Sequence, residues 1–200
     1  TLGYPFCRGR LFETLEEDNG QYDDVQEIFW ATGACMFVRS DVFHGLGGLE
    51  PAFFAHMEEI DFCWRAKNTG HKVMYNGHSK VYHLGGGTLH KSNPRKTFLN
   101  FRNGFALLYK NLPTKELIST LTLRVLLDWI AALRMLMAGQ TKDARAVLDA
   151  HADLLRNSSY WGKQRKKQYH KGDFPRQAGV YKGSVVWEYF VRQKRTVPEL

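Results

Sequence analysis

Three carboxylates and an arginine stand within eight residues of this chain: Glu58, Glu59, Asp61 and Arg65. A surface helix gains little from adjacent acids that repel one another. A reaction that takes a proton from a hydroxyl, by contrast, needs a carboxylate held at one place with its pKa tuned by its surroundings. Successive helix residues turn by about 100°. Asp61 and Arg65 are therefore i,i+4 neighbours able to pair. Glu58 shares their face, and Glu59 points elsewhere. On this reading Asp61 and Arg65 fix the helix while Glu58 or Glu59 faces a cleft. The plain alternative is a charged helix in solvent.

The elements that must hold this group can be placed from local signals. The acidic helix is expected over 55–69, where Gly70 ends it. A short apolar run after Thr32-Gly33 predicts a buried strand over 34–38. Ser40 is a capping residue for a helix starting near Asp41 and stopped by Gly47-Gly48. Strands are expected over 72–75 and 80–84, followed by a loop at Gly85-Gly86-Gly87. Asn93-Pro94 starts a helix running to about Lys110. Another follows Pro113 and ends at Gly139, and a third runs from Thr141 to about Leu155. Residues 1–27, turn-rich and then acidic, read as an irregular surface segment. The order predicts part of an α/β domain over 1–112 and a helical, basic extension over 113–200.

At 44% hydrophobic and 14% aromatic, the 200 residues can bury a sizeable core. Thr1 stands where a start methionine would, and no signal peptide is visible, so the chain reads as part of something longer. Cys7, Cys35 and Cys63 are odd in number and lack zinc-ligand spacing, which suits reduced, mostly buried thiols in a cytoplasmic protein. Between Arg156 and Arg195, eleven Lys or Arg stand against Asp173 and Glu188, a balance of +9 that leaves −1 for the rest of the +8 chain. Such a block attracts phosphate on anionic lipid or nucleic acid, or is simply a solvated tail.

Four spaced motifs occur together: Ala31 to Arg39, Gly47-Gly48-Leu49, Phe53 to Arg65, and Val81 to Gly87. In this combination the chain resembles the acceptor-side half of family 2 glycosyltransferases, inverting enzymes of the GT-A (Rossmann-like) fold, and is most similar to bacterial rhamnosyltransferase-like members. The resemblance covers about 4–110. It implies a partial GT-A domain without the N-terminal nucleotide-binding half, since neither a βαβ start nor an Asp-x-Asp-like motif is present. The family carries Glu-Asp-x-Asp-x-x-x-Arg at the acidic helix, its second acid being the proposed base. Here that position is Glu59, with Glu58, Asp61 and Arg65 matching the rest. The exchange of Asp for Glu leaves both Glu58 and Glu59 open as the base.

The same resemblance implies that His83 helps hold a divalent metal, Mn²⁺ or Mg²⁺, on the diphosphate of a nucleotide-sugar, with most ligands in the absent half. Gly85 and Gly86 would let backbone approach that diphosphate, and Arg102 would meet a phosphate. Trp30, Thr32, Gly33 and Arg65 would line the acceptor side. The bland readings are a structural histidine, a flexible loop and a surface arginine.

The helix over 117–138 is strongly apolar but carries Arg124, Asp128 and Arg134, which disfavours a membrane span. It packs on the core, meets a second copy of the chain, or lies in a membrane interface. Trp161, Tyr169, Tyr181, Trp187 and Tyr189, interleaved with cations, suit a lipid headgroup layer. RNA is disfavoured, because no nucleic-acid-binding signature accompanies them.

The expected activity is transfer of a sugar from a nucleotide-sugar to a saccharide or polyprenyl-linked acceptor, in cell-surface polysaccharide synthesis at the inner face of the plasma membrane. The competing expectation is a non-catalytic membrane-docking or oligomerisation module.

Overall fold

The computed structural model describes residues 2–83, 93–168 and 177–200. It is a mixed α/β chain in which two small antiparallel sheets flank a helical body. Strands β1 (Arg10–Leu11) and β2 (Thr14–Leu15) form a hairpin, while β3 (Val25–Ile28) pairs with β4 (Val73–Asn76), Val25 opposite Asn76 and Ile28 opposite Val73. Between them lie α1 (Ser40–Gly45) and α2 (Glu58–Asn68). Then follow α3 (Pro94–Asn111), α4 (Thr114–Met137), α5 (Thr141–Arg156), α6 (Ser158–Lys166) and the short α7 (Val185–Phe190).

Helix α3 organises the body. Its start is capped by Asn93, whose side chain accepts from the Arg95 amide, with Pro94 in the first turn. Its apolar residues Ala106, Leu107 and Leu108 pack with Phe53, Ile60 and Trp64 around α2, with Phe29 after β3, and with Trp161 of α6. α7 closes a second, smaller cluster against the N-terminal hairpin through Leu11, Val185 and Tyr189.

Several expectations need correction. Residues 34–38 are not a strand. A 3-10 turn (Gly33–Cys35) capped by Thr32 takes their place, and Phe37 is 95% exposed. A strand needs a partner for its amides and carbonyls, and among the described residues β3 pairs with β4 instead. Residues 80–83 are not a strand either, and Leu84 lies outside the described residues. The segment 1–27 is not wholly irregular: it supplies β1, β2 and the start of β3, and Leu11 is fully buried. The acidic helix begins at Glu58 rather than 55, because Phe54, His56 and Met57 all hold positive φ. Ser40 is the first residue of α1 rather than its cap. The three cysteines are free, yet only Cys63 is buried.

The basic C-terminal quarter is not a free cationic tail among the described residues. Trp161 and Tyr189 sit in the two cores, and Arg165 donates to the carbonyls of Tyr109 and Leu112. Tyr169 lies outside the described residues. Of the aromatics expected at a headgroup layer, Trp187 is the one with a mostly exposed ring. No helix among the described residues is long and apolar enough to cross a membrane.

Candidate functional site

The loop that feeds α2 is built against its own preference. Phe54, His56 and Met57 occupy positive φ (63°, 69° and 75°) without being glycine, a conformation that persists only where the surroundings over-determine it. Asn103 supplies the determination. Fully buried on α3, its Nδ2 shares two hydrogens among the carbonyls of Phe53 (3.0 Å), Ala55 (2.8 Å) and His56 (2.8 Å). Its Oδ1 accepts from Arg102 Nε at 2.8 Å. Arg102 also donates to the carbonyl of Ala52 at 2.7 Å, and Arg95 lies over the Phe54 ring.

Below this loop lies a buried ionic knot. Asp61 is fully buried and accepts from Arg65 Nε (2.8 Å), Lys110 Nζ (2.9 Å) and Asn111 Nδ2 (2.8 Å). Arg65 extends to the carbonyls of Leu46 and Gly48, tying the α1–α2 connection to α2. Lys110 also donates to Glu50, which accepts from Tyr160 Oη. Burial raises the Glu50 carboxyl, but the hydrogen bonds from Lys110 and Tyr160 outweigh it and leave the net shift downward. Burial and the bond to Glu50 push the Tyr160 phenol up to about 12.

With Asp61 and Arg65 turned inward, Glu58 and Glu59 remain at the start of α2. Both are half-buried, and the Oε2 of each is shielded from solvent without a hydrogen-bond partner, as is His56 Nε2 beside them. Burial pushes the Glu59 carboxyl up. The Glu58 charge adds to this, while amides at the helix start and the Gly33 amide only partly offset it. Burial pulls the His56 imidazole down, with Lys96 in the same direction and Glu58 opposing. Glu59 is thus a desolvated carboxylate at the start of α2, behind a loop held at positive φ.

A cleft of about 1290 Å³ lies next to Glu59. Trp30, Thr32, Met36, Phe37 and His83 are among its lining residues. Glu58 and Glu59 are not. Glu59 sits one layer behind, taking the Gly33 amide from between Thr32 and Ala34, which do line the cleft. The structure therefore brings Trp30, Thr32 and His83 to one cleft, with Gly33 and Glu59 adjoining it. It places Asp61 and Arg65 in the buried knot and turns Arg102 to the loop carbonyls. Gly85 and Gly86 lie outside the described residues. Among the described residues no group of three or more His, Cys, Asp or Glu is placed to hold a metal ion.

The positioning residues Asn103, Lys110, Asn111 and Glu50 and the unpartnered His56 have no counterpart in the sequence reading. The signal for three of them is present. Asn103, Lys110 and Asn111 repeat at helical spacing with Leu99 and Leu107, so they put polar groups in an apolar stripe.

Comparison with known proteins gives one partial likeness to report. Over 66 residues, 32% of this chain, it is 35% identical to the "Low-salt glycan biosynthesis hexosyltransferase Agl10" of Haloferax volcanii. The matched stretch spans 22% of that protein's length, which suggests a glycosyltransferase relationship without defining a family. No protein-family model matches the chain, and no solved structure matches it.

Proposed function

We propose that this chain is the acceptor-side part of an inverting glycosyltransferase of the family 2 type, with Glu59 as the base. The observation that carries the reading is the Glu59 carboxyl: its proton affinity is raised by burial, its Oε2 is shielded and unpartnered, and it adjoins the Trp30–His83 cleft through Gly33. The partial likeness to a hexosyltransferase points the same way.

In the proposed reaction the Gly33 turn, which separates Glu59 from the cleft, moves aside and the acceptor hydroxyl gives its proton to Glu59. Its oxygen then attacks the anomeric carbon of a nucleotide-sugar from the face opposite the leaving group. The bond from that carbon to the diphosphate oxygen breaks, and the nucleoside diphosphate departs with the electron pair. Trp30 and Thr32 line the acceptor side, with Gly33 between the cleft and Glu59. Asp61 and Arg65 position α2 from below rather than touch the substrate. Donor recognition, and most ligands of any divalent ion joined by His83, belong in this reading to residues other than those described.

Glu59 is preferred to Glu58 because Glu59 contacts the cleft wall, whereas Glu58 faces His56. The test is Glu59→Gln in the enzyme that carries this segment, with turnover of a nucleotide-sugar as readout. A positioned base is worth ~10²–10⁴-fold, so a loss of that size with an unchanged melting temperature, or a raised one, is expected. Wild-type turnover in the variant eliminates Glu59 as the base.

A further inference from the structure

Helix α4 is amphipathic with its faces reversed. The side packed on the body carries the charges: Arg124 and Asp128 are buried and bonded at 2.7 Å, with Tyr4 and His151 closing the group. The outward side carries the apolar residues. Ile118, Leu123, Leu126, Trp129, Ile130, Leu133, Leu136 and Met137 are all exposed, Ile130 at 62% and Met137 at 74%. At 100° and 1.5 Å per residue they fill an arc of roughly 140° along about 28 Å of helix, and no charged residue falls inside that arc between Ile118 and Met137. The Trp129 Nε1 proton is already donated to His151, so its ring offers an apolar face.

The patch continues onto α7 and the residue after it, where Trp187, Phe190 and Val191 are exposed and the Arg134 guanidinium lies over the Phe190 ring. The α4 residues alone present on the order of 900 Å² of surface, above the ~300–600 Å² of the largest patch on an ordinary monomer.

We infer that this face docks on an anionic lipid surface, with α4 lying parallel to the membrane plane. Charge selects lipid over a second copy of the chain. The border of the patch is basic: Arg134 stands beside Phe190, and Arg192 and Lys194 share the single carboxylate of Glu188. Such a border attracts anionic headgroups and repels its own duplicate. An exposed apolar arc, a tryptophan and flanking cations are what an interfacial helix uses. With Arg124 and Asp128 turned inward, α4 lies on a membrane without burying a charge in it. The sequence reading offered the membrane both to the helix over 117–138 and to the aromatic, basic tail; Trp161 and Tyr189 of that tail sit in the cores, and the exposed apolar face lies on α4. The inference stands apart from the transfer reaction, since it is read without any sugar.

The test is co-sedimentation of the 200-residue chain with vesicles of phosphatidylcholine alone and of phosphatidylcholine mixed with phosphatidylglycerol, with tryptophan emission followed in parallel. Partition into the anionic vesicles with a blue shift is expected, and weaker partition into the neutral ones. The pair L126E/I130E removes two exposed side chains from the apolar face and is expected to lower partition by more than about tenfold. Should that pair fail to fold, L133E/M137E probes the same stripe nearer its C-terminal end. Partition that neither pair alters overturns the inference. So does a chain that ignores both kinds of vesicle but forms a dimer, by light scattering, that L126E/I130E disperses.

Discussion

Asp61→Asn separates the two kinds of carboxylate on α2. The substitution keeps the side-chain shape and removes the charge. In the wild type, one buried carboxylate neutralises Arg65 and Lys110 at 2.8 and 2.9 Å and accepts from Asn111 at 2.8 Å. Arg65 is 6% exposed and Lys110 2%, so neither cation can turn to water without opening the core. Removing one member of a buried ion pair typically costs about 3–5 kcal/mol, because the remaining charge is left desolvated. Glu50 still serves Lys110, which places the expectation at the lower end, about 3 kcal/mol. A domain holds only about 5–15 kcal/mol in total. At about 2–4 °C per kcal/mol for a chain of this size, the melting temperature falls by roughly 6–12 °C. Thermal and urea unfolding followed by circular dichroism measure it, with Glu59→Gln as the matched control on the same helix. A loss below about 1 kcal/mol would refute the claim that Asp61 is the hub of the knot.

Two further outcomes follow from the loop and the acid pair. Asn103→Ala takes this donor from the partly buried carbonyls of Ala55 and His56, while that of Phe53 keeps the Ala55 amide and Arg102, at about 1–3 kcal/mol per unsatisfied group. A total loss of roughly 2–4 kcal/mol is expected in urea unfolding, and a loss under about 1 kcal/mol would mean that the loop holds its positive φ values without this tether. Glu59→Gln should stabilise the fold in a pH-dependent way. The folded-state pKa is raised, so below the ordinary carboxylate range both states are protonated and the variant changes nothing. As pH rises through that range the unfolded chain ionises freely while the folded chain resists, and the wild type loses stability that glutamine retains. The melting-temperature gap should therefore open towards neutral pH and close in acid. An equal gap at both would contradict a raised Glu59 carboxyl.

What the sequence determined by itself was what short-range chemistry decides. The Asn93-Pro94 start of α3, the i,i+4 pairs Asp61–Arg65 and Arg124–Asp128, the glycines after α1 and the span of α4 all stand in the structure. Each is set by residues within one or two helical turns, so a linear reading finds it.

Tertiary structure alone decided the rest. Whether residues 34–38 become a strand depends on a pairing partner, and β3 took β4. The late start of α2 depends on Asn103, nearly fifty residues downstream of His56. The split of three neighbouring acids into one structural hub and two desolvated acceptors depends on which side α3 presents Lys110 and Asn111. The outward turn of the apolar side of α4 contradicts what hydropathy would assign, because the body offers that helix an ionic socket formed by Tyr4 and His151 around Asp128. Periodicity shows that a helix has two faces. Only the packed chain shows which of them meets protein and which is left for something else.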